Sequence, residues 1–457
     1  MRFLFATIQT YESDFYGRVG AELSARGHEV AHVTISRVAA RTLRDQGLDA
    51  RALPDMIAAL GEPASTDEEV RRIEATYDTP HIRDVYRADW PCKGRDEAWC
   101  IRRTVQHFRG LERVFDDVRP DVVVPEVGNE TIRVASDLIG RARGIPVLWL
   151  LYTIFPDPLR LYVDTLHAPI VPEEEVRDLS VEERAELEAF RSSFTSAGKP
   201  IRAHRHVSFG GRRARVYADH VRRRLGEDRD NDYVRPWRLL HGNVSEWVRA
   251  RAARPFYDEL GERPFVYFPL HVTDDYKIQR IIPHCVDQAS IIELVAASLP
   301  QGYDVVIKEH PMSVGRNSIR LLRRLRARPN VRLVDPHTSS HELIRRSEAV
   351  AVISSTVGLE ALLYDKPVLT LGQPFYSGYG VTVDVDSFRE IPEKLVEVLR
   401  FRPDPDRVAR FLHAAMRACY PGAPVLVDRS EENALRLAGS IERVATEATA
   451  KSLVEAG

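Results

Sequence analysis

YDVVIKEHP (303–311), VRLVDP (331–336) and AVAVISSTVGLEALLYDKPVLTLGQPFY (349–376) decide the fold of this chain. Each opens with a short apolar run that ends in polar residues. Amphipathic segments separate the runs. Strands buried on both faces of a parallel sheet read this way, and their carboxyl ends form the ligand-binding rim. Lys308, Glu309, His310 and Pro311 follow the first run. Pro311 biases His310 toward extended backbone, which keeps it on the rim. A lysine and a histidine aimed out of a strand end suit a phosphate. Ser354, Ser355 and Thr356 follow the third run, and Gly358 and Glu360 open the next helix. Free N–H groups at a helix start, with a glycine permitting close approach, make an anion site. Ser355 acting only as a helix cap uses the same geometry. The stretch GQPFYSGY (372–379), with Tyr376, is expected to fold back over the ligand.

The same alternation opens the chain. RFLFATIQ (2–9) reads as a buried strand, 15–27 as an amphipathic helix closed by Gly27, and EVAHVTIS (29–36) as a second strand. Gly17 and Gly20 do not make a dinucleotide fingerprint. Residues 37–118 read as mostly helical, with breaks near Pro63, Pro80 and Pro91. DVVVP (121–125) is the next strand, followed by helix 131–143 and strand 145–153. Glu126, Asn129, Glu130 and Arg133 therefore stand at a strand end and a helix start. Capping of that helix is the competing explanation. Residues 154–162 read as a cleft-lining loop, with Asp157 and Arg160 as contacts.

Residues 172–250 read as long charged helices. Arg212, Arg213, Arg215, Arg222, Arg223 and Arg224 make either a solvated helical face or a basic surface for anionic lipid. Strand 264–272 restarts the α/β alternation, with His271 at its carboxyl end and Asp274 just beyond. Helices follow at 390–400, 405–418 and 429–448. The expected plan is an N-terminal Rossmann-like domain with helical insertions (1–262), a C-terminal Rossmann-like domain (263–400), and terminal helices (401–457) packing back across both.

Composition narrows the classes. At 457 residues and 44% hydrophobic content the chain is globular. Its 65 basic and 67 acidic residues nearly cancel, which gives no global reason to expect nucleic acid. Cys92, Cys100, Cys285 and Cys419 fit neither a zinc pattern nor a disulfide framework. No segment has the apolar length of a membrane span, and the first residues read as a strand, not a signal peptide. A cytoplasmic protein, peripheral on a membrane at most, is the expectation.

The stretch KEHP…ISSTVGLEALLYDKPVLTLGQPFY resembles the capsule polysaccharide biosynthesis family, which includes β-Kdo transferases. The resemblance implies a GT-B glycosyltransferase: two Rossmann-like α/β domains facing a cleft. It implies that Lys308, His310, Pro311, Ser354, Ser355, Gly358 and Glu360, with Thr356 at the helix start, hold a nucleotide-sugar donor such as CMP-Kdo. His271 stands where the family's strand-end glutamine is usual. EVGNETIR is only loosely similar to the family's N-terminal element, because the order of Glu126, Gly128, Asn129 and Arg133 departs from it. The catalytic candidates are Glu126, Glu130 and Asp274 across the cleft, with His310 on the donor side. Asn129, Arg133, Asp157 and Tyr376 are candidates for acceptor or cleft contacts. The expected partners are that donor and a glycan or glycolipid acceptor, with neither metal nor cofactor. A non-hydrolysing UDP-sugar 2-epimerase and a teichoic-type CDP-linked polyol phosphate transferase are the alternatives.

Overall fold

The computed structural model describes residues 1–166, 169–197 and 211–456. Two parallel sheets organise the chain. The first holds β1 (Arg2–Thr7), β2 (Glu29–Thr34), β3 (Asp49–Ala52) and β4 (Val122–Val124), in the spatial order β3-β2-β1-β4. After it come β5 (Leu148–Tyr152) and β6 (Leu159–Val163), an antiparallel pair tied to the sheet through a bridge from Val147 to Val123. The second sheet holds β7 (Phe265–Pro269), β8 (Asp304–Lys308), β9 (Val331–Val334), β10 (Ala349–Val352), β11 (Val368–Thr370) and β12 (Val383–Asp384). Their order is β12-β11-β10-β7-β8-β9, parallel throughout. Renumbered within the sheet this is 3-2-1-4-5-6, the doubly wound order of a Rossmann sheet.

Both sheets reverse direction beside their first strand: between β1 and β4, and between β7 and β10. Ligand crevices in such sheets open outside the strand ends at that reversal. The apolar runs explain why these strands are central. Phe3, Leu4, Phe5 and Ala6 in β1, and Val305, Val306 and Ile307 in β8, are wholly buried or nearly so. Helices cover both faces, as continuous apolar strands require.

Three local expectations are corrected. The first helix, expected over 15–27, spans Thr10–Ala25 and so takes in residues 10–14. DARA (49–52) forms edge strand β3, which has no β-branched residue to announce it. The segment expected as a loop over 154–162 contains β6, whose alternation follows Pro158. The helical reading of 172–250 corresponds to helices Val181–Ala197, Gly211–Leu225 and Pro236–Ala253. The side chain of Arg212 lies outside the described residues.

The terminal helices bind the two halves together. Helix Pro405–Arg417 packs beside helix Val181–Ala197. Tyr420 N–H then donates to Leu159 O at 2.8 Å, so the chain meets the edge of β6 on its way back. Helix Glu431–Ala456 lies along helix Thr10–Ala25, burying Leu437, Ile441 and Val444 in one core with Phe15, Val19 and Leu23. Glu442 adds polar anchors, at 3.0 Å from Arg26 and 2.8 Å from His28. Leu437→Ala is expected to cost about 2–5 kcal/mol, read as a lower denaturation midpoint with an unchanged slope.

Candidate functional site

The site is built from the two sheet reversals. At the end of β4 the chain turns sharply through Glu126, whose φ is +60°. A non-glycine residue in this left-handed region is uncommon, and such strain clusters at functional sites. The turn places the Glu126 carboxyl against Tyr16, whose hydroxyl donates to it. Burial pushes this carboxyl up to about 7, against the pull of Arg133 and with the help of the Glu12 charge.

Arg133, on helix Thr131–Ala142, is the counterion of the cluster. It donates to Glu12 Oε1 at 2.9 Å and to the carbonyl of Val127. Its Nε stands 3.4 Å from Glu130 Oε2, an ion pair without hydrogen-bond geometry. Glu12 also accepts from the backbone N–H groups of Ile8 and Gln9, at the end of β1. A Cβ at Gly128 would meet Glu130 Oε2 at 2.0 Å and an Arg133 nitrogen at 2.6 Å, so a side chain there would have to displace both groups. Three carboxylates and one arginine thus occupy the first reversal. Burial also raises Glu130. The competing reading of helix capping is only partly met: Glu130 is the N-cap residue, but its side chain makes no cap hydrogen bond.

At the second reversal, His271 Nε2 accepts from the Ser354 N–H at 3.1 Å, joining the ends of β7 and β10. Burial, with the nearby charges of Lys277 and His310, pulls the imidazole down to about 3. His271 is therefore a neutral strut. It supplies an acceptor at the position where the resemblance leads one to expect a glutamine. His310 is exposed and has extended backbone, as Pro311 dictates. Its Nδ1 accepts from the Met312 N–H at 3.1 Å, so in the neutral ring the proton sits on Nε2. Ser355 caps helix Thr356–Leu362, and Thr356 Oγ1 donates to Glu360.

The segment after β7 brings the two reversals together. Asn129 Nδ2 donates to the carbonyl of Asp274 at 3.0 Å, from one half of the chain to the other. The Asp274 carboxylate is 3.8 Å from Lys93 and 3.6 Å from Arg316. Tyr276, partly buried against the first core, feels the charges of Asp275, Arg160 and Glu126. Lys277 lies beside it, lowered to about 8 by burial, with Asp275 opposing and Arg160 adding to the fall. Asn129 Oδ1 and Glu130 Oε2 are buried here without a hydrogen-bond partner among the described residues. Buried acceptors of that kind call for a donor from a ligand or water.

Several sequence-predicted residues sit differently from what their spacing suggested. The Lys308 ammonium donates to the Thr338 carbonyl at 2.9 Å and to Ser340 Oγ at 2.5 Å, bracing β8 against the segment after β9. Glu360 is 2% exposed, inside the layer between helix and sheet, not on the rim. Tyr376 is fully buried; its hydroxyl donates to the Ser355 carbonyl, which makes it packing beneath the rim and not a cleft contact. Asp157 is half-buried and paired with Arg436 at 2.6 Å, away from the cluster. Sequence reasoning missed Glu12, Tyr16, Tyr276 and Lys277. Glu12, four residues beyond Ile8 at the end of the first apolar run, carried the one signal that could have been read.

Residues 239–397 match the family described as capsule polysaccharide biosynthesis protein. Protein FixF of Sinorhizobium fredii is 33% identical over 139 residues, 30% of this chain and 33% of that one. The capsule polysaccharide export protein KpsS of Escherichia coli is 36% identical over 87 residues, 18% of this chain and 22% of that one. The matched stretch thus spans a third or less of these relatives. Among solved structures, the β-Kdo 2,7 transferase of Thermosulfurimonas dismutans KpsC is 17% identical with a TM-score of 0.33, over 69% of this chain and 87% of that one. No helix among the described residues is long and apolar enough to cross a membrane. The stretch that matches the family model, residues 239–397, includes the whole second sheet.

Proposed function

We propose that the chain is a glycosyltransferase of surface polysaccharide synthesis. Its donor is a nucleotide-linked sugar, CMP-Kdo first, and its acceptor a glycan or glycolipid. The observation that carries this reading is the meeting of the two sheet reversals, one inside the stretch similar to the capsule family and the other lined by the carboxylates around Arg133. The donor's phosphate lies over Ser354, Ser355, Thr356 and His310. His310 Nε2–H, with the nearby cations Lys277 and Arg160, meets the charge that develops on the departing phosphate. Glu126 faces the acceptor, as base toward its hydroxyl or as nucleophile. In the base role it takes the hydroxyl proton as the acceptor oxygen bonds to the anomeric carbon, and the sugar–phosphate bond breaks with its electron pair going to phosphate.

A nucleotide panel tests the donor. CMP is expected to raise the melting temperature more than UDP, GDP or CDP-glycerol, and His310→Ala to remove most of that shift. A clear preference for UDP would sink the Kdo reading. One observation favours the 2-epimerase alternative: burial raises the Glu126 carboxyl to about 7, which suits proton transfer at neutral pH. An epimerase incorporates solvent deuterium at C2 of a UDP-sugar. The transferase reading expects none.

A further inference from the structure

Helix Pro236–Ala253 carries an unpartnered apolar stripe. Trp237 is 77% exposed, Val248 50%, Val244 41% and Leu240 36%. Their spacing of three, four and four residues puts them on one helical face. A buried helix would turn such a stripe inward, but here Pro236 and Ala253 are the buried positions. Helix Gly211–Leu225 lies beside it, and the Tyr217 ring meets Trp237 edge-on at 6.5 Å between centroids. Val216, next to Tyr217, is 48% exposed and extends the apolar area onto this second helix.

The charge on these two helices is predominantly positive. Across 213–225 and 236–254 there are nine arginines (213, 215, 222, 223, 224, 238, 249, 251, 254) against two acids, Asp219 and Glu246. Arg223 is committed to buried Asp228 at 2.7 Å, and Arg238 donates to the Lys93 carbonyl at 2.9 Å. Arg215 and Arg222, one heptad apart, are both on the exposed side of their helix. An exposed tryptophan and aliphatic stripe bordered by arginine matches the headgroup boundary of an anionic bilayer, where aromatic and aliphatic groups insert and guanidinium groups meet phosphate.

We propose that these two helices dock the protein on the surface of an anionic lipid bilayer, with Trp237, Leu240, Val244 and Val248 entering the interface and Arg215 and Arg222 holding lipid phosphate. This does not rest on the choice of donor or acceptor. It goes beyond the arginine run alone, because half of the surface is the apolar stripe of the neighbouring helix.

The test is flotation of the full chain with vesicles of phosphatidylcholine alone or with about 30 mol % phosphatidylglycerol. Binding is expected only to the anionic vesicles and should weaken as salt rises from about 0.1 to 0.5 M. Arg215→Glu with Arg222→Glu should lower partitioning at least tenfold. Trp237→Ser with Val248→Ser should do the same and should also abolish quenching of tryptophan fluorescence by brominated lipid. All four positions are exposed, so melting temperatures should stay near that of the parent, and the nucleotide-induced shift should persist. Equal binding to neutral and anionic vesicles overturns the proposal, as does no binding to either. A concentration-dependent dimer that Trp237→Ser dissociates also overturns it, since the stripe is then an interface between two copies.

Discussion

Glu126→Gln is expected to abolish sugar transfer, by about 10²-fold or more, while making the folded protein more stable above pH 7. The two effects share one cause. Glu126 is 6% exposed and sits in a strained turn, with its carboxyl enclosed by Tyr16 and the cluster around Arg133. Burial lifts the carboxyl from its ordinary 4.5 to about 7. A carboxyl that is harder to ionise when folded destabilises the fold once it is forced to ionise. Its stabilising contribution is complete below pH about 4.5 and is lost as pH rises through about 7. The gap corresponds to about 3 kcal/mol. Glutamine keeps an acceptor for the Tyr16 hydroxyl and has no charge to bury. Thermal melts from pH 5 to 9 should therefore fall less steeply for the variant than for the parent. Glu130→Gln is the informative comparison, because Glu130 shares the cluster but stands on the N-cap of the following helix. Full activity in Glu126→Gln, with the same flattened melt profile, would make the strained turn a structural device and move the acceptor-side role to Glu130 or Asp274.

What the sequence disclosed about fold and site follows from the range over which each signal acts. Continuous apolar runs such as FLFAT and DVVIK identified central parallel strands, because burial on both faces leaves its mark within a few residues. Edge strand β3 left none, since DARA is half solvated and short. His310 was legible because Pro311 constrains its backbone directly. Lys308 was not, because the direction of its ammonium depends on Thr338 and Ser340, thirty residues further along the chain. The carboxylate cluster needs Glu12, Glu126, Glu130 and Arg133 together, and Glu12 lies more than a hundred residues from the others. Lys277 and Tyr276 belong to a segment with no motif of its own, brought to the cleft by contact between the halves. The strand ends of each sheet could be read separately, but their meeting could not.

Gly358→Ala is expected to lower stability by about 2–3 kcal/mol and to weaken nucleotide binding as a consequence. The glycine invites a different explanation, since at a helix start it would let an anion approach the backbone. The structure fills that space with protein. A Cβ at Gly358 would stand 2.2 Å from the Tyr376 hydroxyl oxygen, 2.8 Å from Cζ and 3.0 Å from Cε2. Tyr376 cannot retreat easily, being fully buried and hydrogen-bonded to the Ser355 carbonyl. Its ring meets Phe375 edge-on at 5.1 Å, and the Arg160 guanidinium lies 3.8 Å from the Phe375 centroid. Displacing Tyr376 therefore shifts Phe375 and, through it, a cation of the cleft. Tyr376→Phe in the Gly358→Ala background removes the closest contact at the cost of one hydrogen bond, so partial recovery is expected in both stability and nucleotide affinity. Two patterns separate the explanations. If stability and affinity fall together and Tyr376→Phe restores part of each, the glycine exists for the tyrosine. If stability stays at the parent level, affinity is lost and Tyr376→Phe restores nothing, the glycine exists for the ligand.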